Sequence, residues 1–381
     1  MNALCEVFGS SSSRPGDPLF VYPGARALLE ERYSEEDTVP PSPEDALDYL
    51  VDAAIDRFGY SARDVFGGVF DYLDMTRRHT KAFNLNSKQL CDAVSALSKN
   101  EDANYAISHR ILALSPVDQG PFVGVHWDVD FKSDWIFRNV FQKLGELNDD
   151  EIRELIRFFQ NISGTRGLAG RFLEPFVHRK IANAADGFWP LTNMKSNAAD
   201  PPHFTLDRDS SVDDNVQFLK VGRKFVKLQS IANLSTCVEH NSYYVPTDPN
   251  FPLFDAFTIE LDYVTKFAVL WVLQMTTSRK DRGSALGYRK IREIITILKD
   301  ELRESPPLKK SKTAGGRATS TPSVQVRYLL VVPKDESQSQ NLQWQFPKGW
   351  SENRKRNDHN GNVYRLEVPL AVCSTIIKKC I

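Results

Sequence analysis

Between Tyr243 and Asp281 two apolar runs, Phe251 to Leu261 and Lys266 to Met275, flank a short polar break at Asp262. This is the pattern of a β-hairpin buried on both faces. The run Phe267–Leu273 is too continuously apolar for a sheet edge and predicts a central strand. Elsewhere the spacing is helical. Ser42-Pro43-Glu44-Asp45 opens a helix, with serine as N-cap, proline in the first turn and acids close behind. Leu47, Leu50, Val51, Ala54, Ile55 and Phe58 form its apolar stripe, and Gly59 ends it.

From Ser61 to Ser163 the helical pattern continues in short pieces, including Ser87–Lys99 and Asp149–Ile162. The Gly67-Gly68-Val69-Phe70-Asp71-Tyr72 segment and the apolar, aromatic stretch Gly120–Phe141 interrupt it. Residues 42–163 therefore read as a helical domain with a small β element. Residues 164–185 predict a further helix, which Pro175 either kinks or divides so that Glu174 lies near a new start. Residues 186–241 are loop-rich, with a strand near Phe225–Ile231. Ala285–Arg303 is amphipathic, with Ile291, Ile294, Ile295 and Leu298 inward. Val324–Pro333 and Val363–Val372 read as buried strands separated by a charged, Trp-containing loop. The fold class is α/β (α+β): a mainly helical N-terminal domain, then a mixed sheet with flanking helices over 164–381.

Composition places the chain among ordinary globular proteins, with enough apolar material for two domains: 381 residues, 41% hydrophobic and 25% charged. No apolar run is long enough to cross a bilayer, and the first residues lack the charged and apolar regions of a signal peptide. The expected location is nuclear or cytoplasmic. Five scattered cysteines show no metal-type pairing and predict free thiols. Net charge is only −1, but residues 1–60 hold 12 acids and 4 bases, whereas residues 277–317 hold 12 bases and 5 acids. The basic stretch after the hairpin either brings a polyanion to it or is a solvated helix face followed by a basic loop. Residues 1–41 and the Pro/Gly/Ser-rich segment 305–323 are expected to be disordered, and Lys309-Lys310-Ser311-Lys312 matches a short nuclear import signal.

Two polar residues stand inside the hairpin's apolar context. A turn centred between Val264 and Thr265 places Asp255 opposite Gln274, and strand alternation puts Thr276 on the face of Gln274. A carboxylate, a carboxamide and a hydroxyl together suit a hard cation such as Mg²⁺. The same residues also admit a simpler reading, in which Asp255 staples a loop near the strand end and Gln274 bonds backbone. Glu174 is either a metal-facing carboxylate or a solvated acid that pairs with His178 one turn on. His203 has no partner at ligand spacing. A P-loop is excluded, since no Gly-Lys-Ser/Thr occurs.

Four segments in order carry a family resemblance: Gly170-Arg-Phe-Leu-Glu174-Pro-Phe-Val-His178; Tyr244-Val-Pro246 with Phe251-Pro-Leu-Phe-Asp255 four residues later; Leu273-Gln-Met-Thr276; and Tyr328-Leu-Leu-Val-Val-Pro333. With the order helix, hairpin, helix, strand, residues 165–375 resemble the core of the PD-(D/E)xK, restriction-endonuclease-like superfamily. More narrowly they resemble crinkler and retrotransposon-hot-spot type proteins. Residues 60–160 look like the helical tail of the NTPase module that such families place ahead of the nuclease.

The resemblance implies a Mg²⁺- or Mn²⁺-dependent nuclease acting on DNA rather than RNA. Glu174, Asp255 and Gln274 would hold the metal, Gln274 in the usual Glu/Asp place. The usual lysine place falls on Thr276, so Arg279 or Lys280 would supply the cation, with Lys290 as another route. The alternative is a non-catalytic interaction protein that keeps the fold and binds nucleic acid, or protein partners through its helical domain.

Overall fold

The computed structural model describes residues 29, 43–99, 109–117, 126–144, 148–185, 187–197, 201–206, 212–213, 215–247, 251–277, 280–282, 284–304, 321–334, 343–348, 350 and 360–370. The chain divides into two compact units, Met1–Leu168 and Ala169–Ile381. The stretches 1–28, 30–42 and 305–320, and with them the expected N-cap Ser42 and the Lys309–Lys312 cluster, lie outside the described residues.

The first unit contains helices α1 (Pro43–Phe58), α2 (Ala62–Phe70), α3 (Tyr72–Ala82), α4 (Ser87–Lys99), α5 (Asp134–Leu144) and α6 (Asp149–Asn161). Strands β1 (Leu112–Val117) and β2 (His126–Phe131) pair antiparallel. They are the small β element that the sequence suggested. Leu47, Leu50, Ala54 and Phe58 of α1 are buried with Val69, Tyr72 and Met75. The helical pattern does break within Gly67–Tyr72, but at Asp71 between α2 and α3, since both glycines lie inside α2. A Cβ on Gly68 would fall 2.7 Å from the Phe58 ring and 2.9 Å from Ala54 Cβ. Close packing of α1 on α2 outweighs the poor helix propensity of glycine, which costs roughly 1 kcal/mol. Asp64 and Lys132 form a buried ion pair at 2.5 Å.

The second unit opens with α7 (Arg166–Ala182), a single helix running through Pro175. Short strands follow: β3 (Phe188–Trp189), β4 (Leu191–Asn193), β5 (Lys195–Ser196), β6 (His203–Thr205) and β7 (Phe218–Leu219). Then come β8 (Lys224–Leu228), a 3-10 turn (Ile231–Thr236), β9 (Ser242–Pro246), β10 (Ala256–Asp262), β11 (Phe267–Met275) and β12 (Lys280–Arg282). Helix α8 (Leu286–Glu304), β13 (Ser323–Lys334), β14 (Gln343–Gln345) and β15 (Asn362–Pro369) complete it. A seven-stranded mixed sheet has the order β4-β15-β13-β11-β10-β9-β8, and β12-β14-β6-β5 form a second sheet. The fold is mixed α/β.

Strand β11 is the centre of the large sheet, as its unbroken apolar run implied. It pairs antiparallel with β10 and parallel with β13. The parallel neighbour requires a crossover, which α8 provides. Ile291, Ile294, Ile295, Leu298 and Leu302 repeat at helical spacing and share one core with Phe257, Ile259, Leu270, Val272, Tyr328 and Leu330. Each such side chain taken fully from water contributes about 1.5–3 kcal/mol. The turn of the hairpin is set locally. Asp262 Oδ1 accepts the N–H groups of Val264 and Thr265 at 2.9 and 3.2 Å, and Oδ2 accepts the Thr265 hydroxyl at 2.7 Å. An aspartate that bonds the backbone just ahead of it is a turn-forming device.

One expectation about the hairpin is corrected. The first strand begins at Ala256, so the apolar residues Phe251–Phe254 are not part of it. Leu253 adopts a φ of 81°, a conformation incompatible with a strand. Phe251 and Phe254 instead pack ring to ring at 4.8 Å, and Phe254 meets Phe257 edge-on at 5.9 Å.

Candidate functional site

The register Ala256↔Leu273, Phe257↔Val272 and Thr258↔Trp271 brings Asp255 opposite Gln274, the pairing expected from the turn position. Asp255 lies one residue before the strand, and its backbone N–H donates to the Leu273 carbonyl at 2.9 Å. Its carboxylate Oδ2 accepts the Met275 N–H at 2.6 Å and the Gln274 Nε2–H at 3.0 Å. Asp255 staples the mouth of the hairpin, as the simpler reading had it, whereas Gln274 bonds the Asp255 carboxylate rather than backbone. Gln274 offers nitrogen rather than oxygen to the acid in this arrangement.

Glu174 reaches the same neighbourhood from α7. It is about half exposed, and its Oε1 lies 3.4 Å from His178 Nε2, one helical turn on. His178 is buried, and its Nδ1 lies 2.9 Å from the Tyr243 hydroxyl. Tyr243, on β9, is fully buried. Successive residues of β9 face opposite sides of the sheet. Tyr244 enters the α8 core, and Tyr243 turns toward α7. Burial pushes the Tyr243 hydroxyl well above its usual acidity range, the negative charges of Asp255 and Glu174 push it further, and Arg223 opposes them. One phenol thus senses both acids, although they come from elements about eighty residues apart in sequence.

Thr276 is buried just beyond β11, where its N–H donates to the Val331 carbonyl at 3.0 Å. Thr277 Oγ1 would lie 3.5 Å from a Cβ on Gly170 of α7. That approach ties the end of the hairpin to the helix carrying Glu174. Arg279 lies outside the described residues, and Lys280 opens β12, paired in parallel with Gln343 of β14. Lys290 Nζ lies 3.3 Å from Glu293 Oε2. His203 sits on β6, where its N–H donates to Asn197 Oδ1 at 2.8 Å.

Of the sequence-derived candidates, the structure brings Asp255 and Gln274 into direct contact, while Glu174 is half exposed and pairs with His178 one turn on, the simpler of its two readings. Tyr243 was missed as a site residue. The sequence signal for it is its place next to Tyr244-Val245-Pro246, whose spacing leads to Asp255. Among the described residues no three His, Cys, Asp or Glu side chains form a metal cluster. A cation site here would consist of two carboxylates completed by the amide of Gln274.

A second surface feature lies on α8. Arg289, Arg292, Glu293, Thr296 and Ile297, with Ile231 and Ala232, line a mainly apolar groove of about 450 Å³. Among the described residues no helix is long and apolar enough to cross a membrane. No family model, no curated protein and no solved structure matches the chain.

Proposed function

We propose that the unit Ala169–Ile381 is a nuclease-like domain that binds DNA and cleaves phosphodiesters with a divalent cation. The observation that carries this reading is the contact of Asp255 with Gln274 at the open end of the β10–β11 hairpin, with Glu174 converging on the same buried phenol. Two carboxylates and a carboxamide are hard oxygen donors and fit Mg²⁺ or Mn²⁺ in kind. Gln274 must turn its amide over to present oxygen, and Asp255 then keeps the Met275 N–H while offering its remaining lone pairs.

When bound, such a cation supplies neutralisation of the charge that grows on the phosphate and lowers the pKa of a coordinated water. The chain's own part is to hold that centre with Glu174, Asp255 and Gln274. Glutamine in place of a second strand acid leaves the centre one negative charge poorer, which weakens cation binding. The surplus of bases over residues 277–317 supports a polyanionic substrate. The reading also fits a nuclear or cytoplasmic location. Purified protein should degrade DNA only with Mg²⁺ or Mn²⁺, and Asp255→Ala should abolish that activity. Undiminished cleavage by Asp255→Ala would remove the site assignment.

A second reading is favoured by the Gln274 Nε2–H donated to Asp255. An internal hydrogen bond there does the work that a cation does between two acids, and the domain would bind nucleic acid or a protein partner without cleaving. Calorimetry with Mn²⁺ separates the two: absence of binding heat, together with retained DNA affinity, selects the second.

A further inference from the structure

We propose that Tyr243 and His178 are positioning residues: the buried phenol anchors the imidazole at Nδ1, and the imidazole then tethers the Glu174 carboxylate through Nε2–H. The role in cation binding rests on the nuclease-like reading above, whereas the tautomer assignment does not.

The geometry supplies a chain of three groups. The Tyr243 hydroxyl lies 2.9 Å from His178 Nδ1, and His178 Nε2 lies 3.4 Å from Glu174 Oε1. A neutral imidazole carries one N–H. Placed on Nδ1, that proton would leave the Nε2 lone pair facing a carboxylate, which is repulsive. Placed on Nε2, it donates to Glu174, and Nδ1 is free to accept from the phenol. The phenol has a proton to give, since burial and the two nearby acids hold it in its neutral form. One arrangement therefore satisfies all three groups. Edge-on contacts of the imidazole with Tyr243 and Phe225, at centroid distances of 5.6 and 6.3 Å, hold the ring plane.

The consequence is mechanical. Glu174 is half exposed on a helix, and a glutamate in that setting samples many rotamers. Its hydrogen bond to a ring anchored on the sheet restricts it to the side where His178 lies. Outer partners that orient a ligating group commonly change metal affinity by about 10–100-fold when removed.

The test uses the full chain labelled with ¹⁵N-histidine, the His178 signals being identified by their loss in His178→Gln. Wild type should show the neutral Nε2–H pattern for His178. Tyr243→Phe, which keeps the ring and removes only the hydroxyl, should keep the Nε2–H tautomer and move the Nδ1 resonance to that of a nitrogen without a hydrogen bond, whereas Glu174→Ala, which removes the acceptor, should shift the pattern toward a tautomer mixture. In parallel, Mn²⁺ affinity should fall about tenfold in Tyr243→Phe and in His178→Gln, measured where urea curves show both variants folded. An Nδ1–H pattern in wild type, or the same His178 pattern in wild type and Tyr243→Phe, overturns the proposal whatever the metal result. Equal Mn²⁺ affinity in wild type and both variants also overturns it. Wild type that binds no Mn²⁺ while Tyr243→Phe moves the His178 Nδ1 resonance refutes the cation reading alone and leaves the Tyr243–His178–Glu174 tether supported.

Discussion

Gln274 donates its amide N–H to the Asp255 carboxylate across the mouth of the hairpin, 3.0 Å from Nε2 to Oδ2. The bond neutralises by dipole what a second acid would oppose by charge. Gln274→Glu should therefore convert the pair into two like charges at contact distance, which must share a proton or a cation. The variant is expected to be less stable than wild type in chelator and to regain stability with Mn²⁺. At a hundredfold excess over Kd the gain is about 2.7 kcal/mol. Urea midpoints with and without Mn²⁺ measure it, and a midpoint indifferent to Mn²⁺ in the variant counts against a cation at this position.

Asp255 also holds the main chain. Its carboxylate accepts the Met275 N–H at 2.6 Å, and its own N–H reaches the Leu273 carbonyl. Asp255→Ala keeps the second bond and loses the first. The Met275 N–H is then left without its acceptor, at a cost of about 1–3 kcal/mol. Asp255→Asn retains an acceptor oxygen and should lose less. Chemical denaturation of the two variants checks the order, and equal losses would show that charge, not the acceptor, stabilises this end of the hairpin.

The segment leading to Asp255 is packed against the start of α8. A Cβ on Gly287 would lie 2.3 Å from Leu253 Cβ and 2.6 Å from the Pro252 carbonyl. In an open helix, Gly→Ala gains roughly 1 kcal/mol from propensity. Here the overlap involves a backbone oxygen and a Cβ fixed to the backbone, neither of which can swing aside, so strain of about 1–3 kcal/mol prevails. Gly287→Ala should lower the urea midpoint and loosen the Asp255 contact, seen as faster exchange of the Met275 amide. A stabilised variant would mean that α8 and the 252–253 segment separate easily.

The parts of this architecture that were legible in the sequence are those set by local chemistry. Asp262 fixes the turn, the turn fixes the register, and the register puts Asp255 opposite Gln274. The apolar continuity of Phe267–Leu273 likewise identified the central strand, and Ile291, Ile294, Ile295 and Leu298 identified the face of α8. What escaped depends on contacts distant in sequence. Gly67 and Gly68 look like helix breakers until Phe58 and Ala54 are seen to need the space. Phe251–Phe254 look like strand until Leu253 takes a positive φ. Tyr243 looks like one more apolar strand residue until His178, 65 positions away, is placed at its hydroxyl.

The large sheet also contains an acid whose ionisation opposes folding. Glu260, on β10 opposite Val269, is half-buried; burial raises its carboxyl above the ordinary 4.5, while Trp271 first, then Arg223, Arg327 and His240, draw it part of the way back. The sign follows from proton counting. Below 4.5 the group is protonated in both states and contributes no difference. As pH rises the unfolded carboxyl ionises first, so the folded state binds more protons and stability falls until the raised folded value is passed. The deficit then persists to neutral pH. Glu260→Gln imitates the protonated form and is expected to be stabilised relative to wild type at pH 7, with a smaller gain at pH 4. Urea midpoints of both proteins at the two pH values decide it. A variant that loses stability at pH 7 would mean that Arg223 and Arg327 hold the ionised carboxylate more strongly than burial disfavours it.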